Sequence, residues 1–109
     1  MPESIFDLQA ELCQTMSNAT RLQIVHALRI GPRRVGELAQ GLQLAPAQVS
    51  QHLAVLRRRG IVTATRQGSE MLYQITNPKI ERICDLMREV LAEQAAARSE
   101  MIELLRRGR

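Results

Sequence analysis

The side chains best suited to chemistry lie in one stretch, LAPAQVSQHLAVLRRRG, from Leu44 to Gly60. An α-helix turns by about 100° per residue. If Val49, Leu53 and Leu56 turn inward, Ala47, Gln51, Ala54 and Arg58 turn outward, with Gln48 and Ser50 beside them. A glutamine amide carries a donor and an acceptor that match an adenine edge, and a serine hydroxyl serves several bases. Small residues near the helix start let the backbone approach a groove closely. Arg57, Arg58 and Arg59 at the far end can reach phosphates. Taken singly, glutamine, serine and arginine are more often merely solvated. Together they predict a helix that reads double-stranded DNA.

Other chemistry is sparse. Cys13 and Cys84 are too few for a disulfide framework. Both fall on or beside apolar stripes, where cysteine commonly acts as a small hydrophobe. As thiolates they would suit soft ions. His26 and His52 are isolated in the sequence. No nucleophile–base pair, carboxylate dyad or phosphate-binding glycine loop is visible, so neither an enzyme nor a cofactor is expected.

The elements that must position the polar helix follow from periodicity. Ile5, Leu8, Leu12 and Met16 recur at helical spacing, with Cys13 alongside. Asn18 is a candidate N-cap for a second helix carrying Leu22, Ile24, Val25, Leu28 and Ile30, which Gly31-Pro32 stops. A short third helix, RVGELAQGL, precedes a turn formed by Gly41 and the segment QLA. Pro46 suits the first turn of the fourth helix and Gly60 its end. Alternation in IVTATRQGSEMLYQI predicts a β-hairpin with Arg66, Gln67, Gly68 and Ser69 at its tip. Asn77-Pro78 opens a last helix to about Arg107, with Ile80, Ile83, Cys84, Met87, Val90 and Leu91 on one wide apolar face.

The expected fold is mainly α with a β-hairpin wing, in the order α-α-α-α-β-β-α, as a single domain spanning residues 1–109. Two helices joined by a tight turn, the second with a polar outer face, make a helix-turn-helix. So small a core cannot cover both amphipathic end helices. A two-fold homodimer through Ile5, Leu8 and Leu12 of the first helix and Ile83, Met87, Val90 and Leu91 of the last would cover them.

Charge points the same way. Six arginines between Arg29 and Gly60 face one acidic residue, Glu37, a net +5 in a chain of net charge +4. A concentrated basic region favours a polyanionic partner. Phe6 and Tyr73 are the only aromatic residues, which argues against base-stacking platforms for single strands. No apolar run approaches the roughly 20 residues of a membrane span, and the acidic start MPESIFDLQAEL is unlike a secretion signal. A cytoplasmic protein with no membrane partner is expected.

The motifs are similar to those of a known family. TMSNATRLQIVHAL resembles the entry segment of ArsR/SmtB-type winged-helix repressors. VGELAQGLQLAPAQVSQHLAVLRRRGIV resembles their central core, including S-Q-H-L followed by L-x-x-x-G-I-V. RQGSEMLYQI resembles their wing, and the likeness runs from about Ile5 to Leu91. The resemblance implies a homodimer joined by its first and last helices, on a near-palindromic operator, repressing until an effector acts. It places DNA reading on Ala47, Gln48, Ser50 and Gln51 and the wing on Arg66, Gln67, Gly68 and Ser69. His52 falls on the motif histidine, at the edge of the inward face, where packing or a phosphate contact suits it better than base reading.

The family's metal sites do not carry over. Where relatives place a cysteine pair in the third helix, this chain has Glu37-Leu38-Ala39-Gln40-Gly41-Leu42. The acidic and histidine ligands of the last helix fall on Asn77, Lys79, Val90 and Glu93. Zinc needs about four suitable donors, and only Glu93 qualifies. The remaining sensor candidates are the thiols of Cys13 and Cys84, which an oxidant or a soft metalloid could reach if the two helices bring them together. Two other readings stay open: a repressor without effector whose cysteines are inert, and a winged-helix module that binds another protein.

Overall fold

The computed structural model describes residues 4–108. Helix α1 (Ile5–Thr15) starts at Ser4, whose Oγ accepts from the Asp7 N–H at 3.2 Å. Helix α2 (Ala19–Ala27) starts at Asn18, whose side-chain oxygen accepts from the Arg21 N–H at 3.0 Å. Each cap satisfies a backbone donor that the helix itself leaves unpaired. Between them, the Arg21 side chain donates from Nε to the Thr15 carbonyl and closes the α1–α2 corner.

A single 3₁₀ turn, Leu28–Ile30, extends α2. Its tighter winding moves Ile30 off the inner face, and Ile30 is 82% exposed where the helical pattern placed it inward. Strand β1 (Arg33–Arg34) follows, then α3 (Val35–Leu42) and α4 (Pro46–Arg58). Strands β2 (Val62–Gln67) and β3 (Glu70–Ile75) form the hairpin, and α5 (Pro78–Arg107) closes the order. The expected elements are present, with β1 added. The sheet runs β1-β3-β2, all antiparallel, with Arg33 opposite Tyr73 and Arg34 opposite Leu72.

The turn between α3 and α4 differs from the expected one. Gly41 lies inside α3, and the left-handed residue is Gln43, at φ 57° and ψ 46°. The Leu44 N–H donates to the Ala39 carbonyl and the Gln43 N–H to that of Gln40. These are the two bonds of a Schellman ending. Gly60 ends α4 in the same way: the Ile61 N–H donates to Leu56 and the Gly60 N–H to Arg57.

The core gathers Ile24 and Val25 of α2, Leu38 of α3, Val49, Leu53 and Leu56 of α4, and Ile61 and Val62 at the hairpin's entry, all buried. Fully burying a side chain of this kind stabilises the fold by roughly 1.5–3 kcal/mol, so this cluster fixes α4 in place. Thr76 ties the hairpin's end to the end of α4: its Oγ1 donates to the Gly60 carbonyl at 2.7 Å, and its N–H donates to that of Ile61. The end helices reach this core through Cys84 of α5, with Ile80 packed against it, but turn other apolar residues outward. Leu8, Leu12, Ile83, Met87, Val90 and Leu91 are exposed, and Ile5 is 70% exposed. Helix α5 has 30 residues, so it is about 45 Å long, and from position 94 to 108 every residue is exposed. No helix among the described residues is long and apolar enough to cross a membrane.

Candidate nucleic-acid interface

Helix α4 buries one side and exposes the other along its whole length. Val49, Leu53 and Leu56 have no accessible surface, whereas Ala47, Gln48, Ser50, Gln51, Ala54, Arg57 and Arg58 are exposed. Proline at the first turn removes one of the N–H groups that would lack a partner there. His52 is half-buried at the edge of the inner face. His26 is exposed on α2, away from the core cluster.

The hairpin places its tip as a two-residue turn. Gln67 pairs with Glu70, and Gly68-Ser69 lie between them. Gly68 has φ 65°, while Ser69 does not share a positive φ. Glycine in the first central position is the requirement of a type II′ turn, whose twist matches that of the strands it joins. Arg66 and Gln67 therefore belong to β2 rather than to the turn, and both are exposed.

The arginines divide into two sets. Arg29 makes a two-pronged ion pair with Asp85, whose carboxyl is held below its usual pKa chiefly by the Arg88 hydrogen bond and further by Arg29. Arg34 pairs with Glu37 and Glu70, and Arg59 lies 3.8 Å from Glu11. Half of the central positive charge is thus answered within the chain. Among the described residues, Arg57, Arg58 and Arg66 form no ion pair. Arg33 on β1 is likewise outside these ion pairs and donates to the Pro32 carbonyl, while Arg57 and Arg58 leave free charge at the end of α4 and Arg66 leaves it on the wing. Arg59 adjoins Arg57 and Arg58 in the sequence, but its partner Glu11 on α1 is brought to it only by the fold.

The two thiols are placed differently. Cys84 is 4% exposed, and burial raises its pKa above that of an ordinary thiol. Cys13 is exposed. It lines an apolar groove of about 450 Å³ between α1 and α5, with Leu12, Met16, Ile80, Ile83 and Met87. Cys84 is not among the groove's lining residues. Asn77 serves as the N-cap of α5, accepting from the Lys79 N–H at 2.9 Å. Among the described residues, no group of three His, Cys, Asp or Glu side chains is placed to hold a metal ion.

Residues 18–64 match the family model described as bacterial regulatory protein, arsR family. An uncharacterized HTH-type transcriptional regulator of Mycobacterium tuberculosis, Rv0081, is 37% identical over 107 residues, covering 97% of this chain and 94% of that one. The chain belongs to the ArsR family. The crystal structure of Rv0081 matches this ArsR-family fold with a TM-score of 0.79, over 89% of this chain and 98% of that chain. The transcriptional repressor PagR of Bacillus anthracis is 39% identical over 82 residues, 74% of this chain and 82% of that protein. A homodimeric winged helix-turn-helix DNA-binding domain of Mycobacterium bovis, Mb0332, is 28% identical, with a TM-score of 0.75 over 84% of each chain. The chain is an ArsR-family transcriptional regulator with a winged helix-turn-helix fold.

Proposed function

We propose that this regulator is a cytoplasmic repressor that binds a near-palindromic operator as a homodimer. In this reading Ala47, Gln48, Ser50 and Gln51 meet base edges in the major groove. Arg57, Arg58 and Arg66 neutralise phosphates, His52 steadies the helix near the backbone, and Gln67, Gly68 and Ser69 bring the wing against the flanking strand. The observation that carries it is the exposed polar face of α4, with unpaired arginines at its end and on the adjacent wing. A protein-binding face would instead favour aromatic or large apolar anchors, and α4 exposes none.

The dimer assignment rests on the exposed apolar residues of α1 and α5, which a second copy would cover. Ile5, Leu8 and Leu12 would meet the partner together with Ile83, Met87, Val90 and Leu91. The effector is a small inducer or an oxidant. Of the two thiols, Cys13 is open to such a reagent, while the burial of Cys84 supports an inert place in the core.

Fluorescence anisotropy against the DNA upstream of the protein's own gene, with a random duplex as baseline, tests the reading. A preference of about a thousandfold or more for the upstream DNA is expected of a specific regulator. Equal binding to both would refute it and bring the protein-binding module forward.

A further inference from the structure

Arg34 lies outside both the α4 face and the hairpin, yet it ties the hairpin to α3, the helix that precedes α4. It sits on β1 opposite Leu72 of β3, so Glu70 is its diagonal neighbour on the sheet. Its Nε lies 2.6 Å from Glu70 Oε2. Its Nη2 donates to Gln67 Oε1 at 3.2 Å. Its Nη1 lies 3.5 Å from Glu37 Oε1, which also accepts the Arg34 backbone N–H at 3.0 Å. That backbone bond holds Glu37 below its usual pKa and keeps it ionised at the start of α3. One guanidinium therefore links the first helix of the helix-turn-helix to both sides of the wing's turn.

A guanidinium only donates, so it selects the oxygen of an amide. With Gln67 Oε1 held by Arg34, the NH₂ of this exposed side chain is the end left free. A phosphate only accepts, so that orientation suits it and the reverse would repel it. Glu70, directly opposite Gln67, would also repel a phosphate if its charge were unanswered.

We propose that Arg34 is the positioning residue of the wing: it turns the Gln67 amide donor outward and neutralises Glu70. The hairpin tip then offers a DNA phosphate the Gln67 amide donor and the guanidinium of Arg66, with the charge of Glu70 answered by Arg34. This inference rests on the DNA-binding reading above. The carboxylate partners of Arg34 keep 49% and 62% of their side-chain surface exposed, and solvent screening at such sites leaves ion pairs a modest share of stability, so the consequence lies in orientation and appears in binding.

A double-mutant cycle tests it, using the full chain, its own upstream duplex and a random duplex, with thermal unfolding in parallel. Arg34→Ala and Gln67→Ala are each expected to weaken binding to the upstream duplex about tenfold. Both should keep the unfolding midpoint within a few degrees, roughly the shift expected of a small surface change. The double variant should bind no worse than Arg34→Ala, because both changes remove the same oriented donor. Arg34→Lys keeps the charge but lacks the planar fork, so it should restore binding only in part. Additive losses would make Arg34 an independent contact and overturn the proposal, as would Arg34→Ala binding like the wild type. A wild type that does not prefer its upstream duplex would refute the DNA-binding reading itself, which separates the two failures.

Discussion

Gln43 and Gly60 hold equivalent positions, each the left-handed residue just past the end of a helix, at φ 57° and 78°. The same pair of backbone bonds closes both endings. Glycine meets this geometry without a Cβ clash, whereas a side chain costs about 1–2 kcal/mol. The turn of the helix-turn-helix is therefore strained, and the end of α4 is not. Gln43→Gly should raise stability by about 0.5–1 kcal/mol in denaturant unfolding, part of the relief being offset by glycine's greater freedom in the unfolded chain. Unchanged or lowered stability would mean that the Gln43 side chain makes up the strain in some other way.

The dimer assignment makes a separate prediction. Leu91 is 63% exposed on α5, outside the core cluster. Leu91→Glu should leave the isolated fold intact by circular dichroism but shift sedimentation from dimer to monomer. Operator binding should fall with it, because both half-sites are no longer held together. A dimer that survives the change would move the interface elsewhere on α5.

The thiols should react in two phases. Cys13 is exposed and should be labelled quickly by an aromatic disulfide reagent at pH 8. Cys84 should react only as the chain opens. Burial raises its pKa above that of an ordinary thiol, so the folded state disfavours the thiolate. That contribution is complete below the unfolded pKa and is lost as pH rises through the folded one. Cys84→Ser should therefore flatten the decline in stability above about pH 9. Equal labelling rates for the two thiols would contradict their placement.

Much of this was legible in the sequence because helical and strand periods report burial directly. Val49, Leu53 and Leu56 set the orientation of α4, and its exposed residues followed. Strand β1 was not legible, since two residues, Arg33 and Arg34, cannot show alternation. The pairing of Arg29 with Asp85 joins positions far apart in the chain, and only the fold brings them together. In the sequence Cys13 lies beside an apolar stripe and Cys84 lies on one. A stripe facing a partner and a stripe facing the core have the same pattern, so the exposure of one thiol and burial of the other needed the structure.

The central claim is that the exposed face of α4 reads base edges. The most direct measurement compares Gln51→Ala and Arg58→Ala by anisotropy on the upstream and random duplexes, across a range of salt. Gln51→Ala should lose about 1–3 kcal/mol on the upstream duplex alone, because a base contact discriminates. Arg58→Ala should weaken both duplexes and reduce the salt slope by about one unit, because a phosphate contact does not. Equal losses for Gln51→Ala on both duplexes, or an unchanged slope for Arg58→Ala, would contradict the assignment of these residues to the DNA.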